Sequence, residues 1–145
     1  MAFFLIGVIM AFGGLQAQEI RKIKMEDLSA LIDSSDHPLL ISFWATWCQP
    51  CLHEIPWLQT AVEKYKDKGP ELWLISLDFT ASYPSAIREV IRKGDYSARY
   101  FWLDETNPDR FCPVIDCHWR GGIPASLLYN PKTGYRKFIN RQLTD

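Results

Sequence analysis

Charge of one sign never accumulates in this chain. Sixteen Lys and Arg stand against seventeen Asp and Glu for a formal charge of −1, and no basic block or aromatic-basic stripe breaks the balance, so no nucleic-acid partner is expected. Internal repeats, low-complexity tracts and linker-like stretches are missing too. The 145 residues therefore read as one folded domain, not as a solenoid, a disordered chain or two full-size units. Histidine is scarce, with three residues in all: His37 precedes Pro38 in a loop, His53 falls in a helix, and His118 lies near the second cysteine pair. A chain of this length buries roughly two thirds of its extended surface. Its core needs no disulfide or metal staple, so four cysteines ask for another explanation.

Residues 1–17, MAFFLIGVIMAFGGLQA, carry no charge, and an apolar run from Ala2 to Phe12 leads to Gly13-Gly14 and the small Ala17. This is the pattern of a secretory h-region cleaved after Ala17. No Lys or Arg precedes the run, and Leu15 is a poor match two positions before the cleavage, so an uncleaved N-terminal anchor and a buried or disordered leader are the alternatives. Ala2 to Ala17 is sixteen residues, short of the roughly twenty a spanning helix needs. With no cysteine near the run, a lipid-anchored start is not expected. The division expected is a signal peptide or anchor at 1–17 and a folded domain at 18–145, located in the periplasm or another extracytoplasmic compartment.

Within that domain, weak alternation over Glu19 to Lys24 predicts an edge strand, and Met25, Leu28, Leu31 and Ile32 place an apolar stripe on a helix beginning near Glu26. Leu39 to Trp44 is an apolar run suited to a central strand covered on both faces. A helical pattern follows at Ile55, Leu58, Ala61, Val62 and Tyr65. Leu72 to Leu77 and Ala98 to Leu103 predict further strands, with a helix at Pro84 to Lys93, stopped by Gly94, between them. After a polar segment from Asp104 to Arg110, Phe111 to Trp119 reads as a short helix plus loop. Ala125 to Tyr129 and Tyr135 to Ile139 flank Asn130-Pro131-Lys132-Thr133-Gly134, a hairpin signal with Gly134 at positive φ. The result is a mixed α/β arrangement. The chain stops six residues beyond Ile139, so a final helix over one sheet face is not supplied. Apolar area there should be exposed, or covered by a partner, the leader or altered packing.

Cys48-Gln49-Pro50-Cys51 sits where the central strand hands over to a helix. Cysteines three positions apart at a helix start lie about one turn from each other, close enough for a disulfide, and the free helix N–H groups favour a thiolate at Cys48. Cys51, one turn in, is placed to resolve a mixed disulfide made by Cys48. Pro50 lacks an N–H where the first turn requires none. A structural disulfide is one alternative. Half of a zinc site, completed by Cys112 and Cys117 or by His53 or His118, is another.

The run Phe43-Trp44-Ala45-Thr46-Trp47-Cys48-Gln49-Pro50-Cys51, with Glu54 and Pro56 after it and Gly122-Ile123-Pro124 before a strand, resembles the thioredoxin superfamily and its exported TlpA/ResA-like thiol-disulfide oxidoreductases. The resemblance spans Glu19 to Leu143. It implies a thioredoxin-like α/β fold, a central mixed sheet with flanking helices, here expected to lack the final C-terminal helix. It implies Cys48 as nucleophile, Cys51 as resolving thiol and a cis Pro124 facing the pair. A cis bond would expose the Ile123 backbone to an extended substrate segment, with Trp47, Gln49 and Pro50 also at the substrate surface. Glu54 is implied to lie near the buried thiol, taking the Cys51 proton or tuning both thiols; a solvent-facing carboxylate favouring the first helical turn is the alternative. Where thioredoxins carry a buried aspartate in the preceding strand, this chain has Ser42, which cannot act as a base. Trp44 is expected in the core and Trp47 beside the cysteines, and Pro56 is expected to kink its helix.

Cys112 and Cys117 depart from the family pattern. They are expected either as a second disulfide closing the loop before Ile123-Pro124 or as two buried free thiols, with an electron relay between the two pairs as a third reading. No organic cofactor and no metal is implied. The partners implied are protein thiol/disulfide substrates, apocytochrome c among them, and an upstream thiol protein or membrane reductase. Reduction of partner disulfides is the expected direction. A thiol peroxidase is a rival that the pairing of the two best cysteines counts against. A non-enzymatic peptide-binding module is the other, distinguished by a lack of insulin-type disulfide reduction.

Overall fold

Strands that are apolar on both faces need cover on both, and two such strands set the centre of the sheet. They are β2 (Leu39–Trp44) and β3 (Glu71–Ser76), buried along nearly their whole length in the computed structural model, which describes residues 18–144. The leader expected at 1–17 lies outside the described residues. Around that centre stand β1 (Ile20–Ile23), β4 (Arg99–Leu103), β5 (Ala125–Asn130) and β6 (Tyr135–Ile139), in the order β1-β4-β3-β2-β5-β6. The first four strands of that order run parallel, while β5 and β6 run antiparallel to their neighbours, so the sheet is mixed as expected.

Helices α1 (Met25–Asp33) and α4 (Pro108–Ile115) cover one face, and α2 (Gln49–Lys64) and α3 (Ser85–Gly94) the other. On the first, Leu28 and Ile32 pack with Ile41, Phe43, Phe111 and Trp119; on the second, Ile55, Leu58, Ile87 and Ile91 pack on Trp44 and Trp102. Alternate residues of β2 thus feed different cores, as a two-residue strand period requires.

The strands keep to within a residue of the sequence reading, and two helix boundaries differ from it for local reasons. Helix α4 begins at Pro108, inside the segment read as merely polar, because Asn107 caps it by accepting from the Asp109 N–H (3.0 Å) and proline fits the first turn. Helix α3 includes Gly94, and the left-handed residue that ends it is Asp95, with φ 48°. The hairpin keeps Gly134 at φ 69°, as read.

No helix follows β6 among the described residues. Residues 140–144 instead turn back onto the α2 face, where Leu143 packs against the Ile55 cluster. Farther from the cysteines, that face stays open as an apolar groove of about 510 Å³ lined by Leu40, Ala61, Val62, Tyr65, Leu128 and Tyr135. Altered packing and exposed apolar surface therefore share the face. No described helix is long and apolar enough to cross a membrane.

Candidate active site

At the end of β2 the chain leaves the sheet and must start a helix within four residues, and Cys48 does so as its N-cap. The Cys48 N–H donates to the Ala45 carbonyl (3.0 Å), the Leu52 N–H donates to the Cys48 carbonyl (3.1 Å), and the Cys51 N–H donates to the Cys48 sulfur (3.3 Å). Pro50 occupies the first turn, where it leaves no bond unmade. Cys48 and Cys51 form a disulfide with their Cα atoms 5.3 Å apart. Cys51 is sealed at 0% exposure while Cys48 retains 5%, so an incoming sulfur meets Cys48 first. In this disulfide state neither sulfur is a thiolate ligand.

The rim is aromatic. Trp47 is 59% exposed, whereas Trp44, three residues earlier, is buried in the sheet at 1%. Gln49 and Pro50 are exposed beside Trp47. Pro124, buried and preceded by a cis bond from Ile123, leads into β5, whose Ala125 pairs with Phe43; the proline loop therefore stands at the cysteine end of the sheet. Phe79, 64% exposed just beyond β3 at that same end, was not anticipated.

Asp78 was missed as well. At 2% exposure it accepts from the Thr46 N–H (3.0 Å), the Thr46 hydroxyl (2.6 Å) and the Ser76 hydroxyl (2.8 Å). Three donors satisfy this buried carboxylate, and two of them come from the residue before Trp47-Cys48. A lone acid directly after an apolar strand was the signal available for it.

Glu54 is fully buried, which overturns the solvent-facing alternative. It follows Cys51 by three residues on the inward side of α2, the spacing that places two side chains one above the other. Its Oε2 accepts the Leu143 N–H at 2.7 Å, and its Oε1 has no partner among the described residues. Burial pushes its carboxyl above the usual range, and the Leu143 N–H pulls it partway back. Ser42 and Ser126 oppose each other across β2 and β5, both buried, and neither hydroxyl has a described partner. Glu54 is thus the buried carboxyl nearest in sequence to the resolving thiol.

The second cysteine pair matches neither expectation in full: Cys112 and Cys117 are both free, as in the second of them, but Cys112 alone is buried. Cys112 sits inside α4 and points into the core at 1% exposure; the helix then ends at Asp116 in extended backbone, which turns Cys117 out to solvent. They are neither a disulfide nor two buried thiols. Burial, reinforced by the Asp109 charge and opposed by Arg120, pushes the Cys112 thiol up to about 11. The Cys117 sulfur lies 3.3 Å from Nδ1 of the exposed His118, and His53 also faces solvent.

The thioredoxin family model matches residues 19–93, from β1 through most of α3 and across the whole cysteine motif. The chain belongs to the thioredoxin family. Among curated thioredoxin-family relatives, thiol-disulfide oxidoreductase ResA of Oceanobacillus iheyensis is 37% identical over 129 residues, covering 89% of this chain and 62% of that protein. ResA of Bacillus cereus is 36% identical over 110 residues, covering 76% and 55%. The chain therefore spans less than two thirds of the length of these relatives. The crystal structure of a thioredoxin-related protein from Neisseria meningitidis serogroup B has the same fold, with a TM-score of 0.62 at 23% identity over 77% of this chain and 79% of that one. Against the thioredoxin pattern the sequence resembles, Ser42 in the central strand and the pair Cys112 and Cys117 are departures.

Proposed function

We propose that this protein is a thiol-disulfide oxidoreductase that reduces disulfides of exported proteins, cycling Cys48 and Cys51 between dithiol and disulfide. The observation that carries the reading is the Cys48–Cys51 bond at the N-terminus of α2, with the less buried sulfur belonging to the N-cap residue. In the reduced protein the helix N-terminus stabilises a Cys48 thiolate. That thiolate attacks one sulfur of the substrate disulfide, and the other sulfur departs as a thiolate and takes up a proton. Cys51 then gives its proton to Glu54 and attacks the Cys48 sulfur of the mixed disulfide, which expels the second substrate thiolate. Two electrons have passed to the substrate, leaving the Cys48–Cys51 disulfide. A thiol protein or membrane reductase must supply two electrons for the next turnover.

The substrate segment lies extended along the Ile123 backbone before Pro124 and rests on Trp47, Gln49 and Pro50. The apolar leader at 1–17 supports an extracytoplasmic setting, with tethering to the membrane where the leader is retained. Apocytochrome c is the substrate class that the ResA-like resemblance favours.

The test is the equilibrium potential of Cys48–Cys51 in protein lacking residues 1–17, read by thiol trapping in dithiothreitol or glutathione buffers, beside insulin reduction by the same preparation. A value near about −270 mV with active insulin reduction supports the reductase. A value near about −120 mV reverses the direction, and no insulin reduction at all leaves a peptide-binding module.

A further inference from the structure

We infer that the segment Asn140–Leu143 is a positioning strap that ties the substrate-docking loop to Glu54. The inference rests on the function proposed above, since it assigns the strap to that loop and that carboxyl. Strand β6 runs antiparallel to β5 and so delivers Asn140 back to the cysteine end, where Ile139 pairs with Ser126. There the Asn140 amide donates to the carbonyls of Gly122 (2.7 Å) and Pro124 (3.2 Å), one on each side of Ile123. Trp119 Nε1 also donates to the Gly122 carbonyl (2.8 Å), fixing the loop from the opposite core. Three residues after Asn140, the Leu143 N–H reaches Glu54 Oε2 at 2.7 Å while the Leu143 side chain packs into the α2 cluster.

The chemical consequence follows from which oxygen is taken. With Oε2 occupied, Oε1 is the oxygen left to receive a proton. Burial favours the neutral acid, and the Leu143 N–H opposes it by favouring the carboxylate, the form that can accept the Cys51 proton. Among the described residues no charged side chain bonds the Glu54 carboxyl. Arg141 is exposed and donates to the Gln142 carbonyl, His53 faces solvent, and the sheet offers Ser42 and Ser126 on this face. Asn140 and Leu143 are positioning residues, because neither is assigned a contact with the reacting sulfurs.

The test separates the main chain of Leu143 from its side chain. Leu143→Pro deletes the N–H, and an ester analogue with the hydroxy acid of leucine at this position deletes it without a ring; Leu143→Ala keeps it. Glu54 is titrated directly by carbon-13 NMR of its side-chain carboxyl in the oxidised protein. In parallel, reduction of a disulfide peptide is followed against pH. The expected result is an upward move of the Glu54 titration in Leu143→Pro and in the ester, none in Leu143→Ala, and about tenfold slower resolution of the mixed disulfide at neutral pH in the first two. Asn140→Ala is expected to raise KM about fivefold with kcat within about twofold. The strap is overturned if Glu54 titrates identically in the Pro, ester and Ala variants, or if Asn140→Ala leaves KM unchanged. Should the titration move while Glu54→Gln leaves the pH profile of resolution untouched, the tie to Glu54 stands and its role as base fails.

Discussion

Cys48 with Cys51 and Cys112 with Cys117 place the same two atoms of chemistry at opposite ends of helices, and the domain treats them differently. Helix α2 starts on Cys48, so the Cys51 N–H in its first turn donates to the Cys48 sulfur and the second cysteine returns one turn later to meet it. Helix α4 ends between its pair, so Cys112 is carried inward and Cys117 outward. A cysteine pair closes into a disulfide here through its position relative to a helix terminus and the core. Compartment and count do not decide it.

The largest test of that contrast is the serine scan. Cys48→Ser is expected to lower insulin reduction by at least about a thousandfold, and Cys51→Ser to accumulate the mixed disulfide with a substrate peptide, seen by mass spectrometry. Cys112→Ser and Cys117→Ser should each stay within about threefold of the parent; a thousandfold loss in either would revive the electron relay. Next in size, Glu54→Gln should slow resolution about a hundredfold at neutral pH. It should also change stability in a definite sense. The raised carboxyl favours the folded state while protonated, so its contribution is full below the ordinary glutamate value and is lost as pH climbs through the raised one. Urea midpoints measured from pH 4 to pH 8 should fall more steeply for the parent than for the Gln variant.

Asp78→Ala removes the acceptor for three donors in the cysteine loop and the end of β3, and should cost about 3 kcal/mol in urea unfolding. Asp78→Asn, which keeps part of the acceptor set, should cost less. The smallest effect concerns labelling rates. At pH 8 iodoacetamide should modify Cys117 in the native protein and reach Cys112 only after unfolding, because that thiol is buried and held up to about 11. Native labelling of Cys112 at the Cys117 rate would erase the contrast between inward and outward cysteines.

What the sequence disclosed depended on the range of the signal. Cys48, Cys51, Pro50 and the start of α2 are local: strand, turn and first helical turn are contiguous, so their order implies the geometry. Trp44 and Trp47 separated correctly because a residue inside an apolar strand and one beyond its end face different surroundings. The fate of Cys112 and Cys117 was misread because spacing does not say that α4 ends between them. Asn107-Pro108, a cap followed by a first-turn proline, was a legible start for that helix and was passed over as polar chain. Asn140 acts on Gly122 from eighteen positions away and Leu143 on Glu54 from eighty-nine, distances at which no local pattern operates. Those contacts follow only from the direction in which β6 returns.

Thr46 is fastened by a residue thirty-two positions later in the chain, which gives the redox centre a place in the order of biogenesis. A chain emerging N-terminus first presents Cys-Gln-Pro-Cys well before Asp78 exists to clamp the loop ahead of it. Until β3 has emerged and paired beside β2, the two thiols lack the frame that holds Cys48 at the mouth of α2. The geometry of the cysteine loop therefore matures with the sheet.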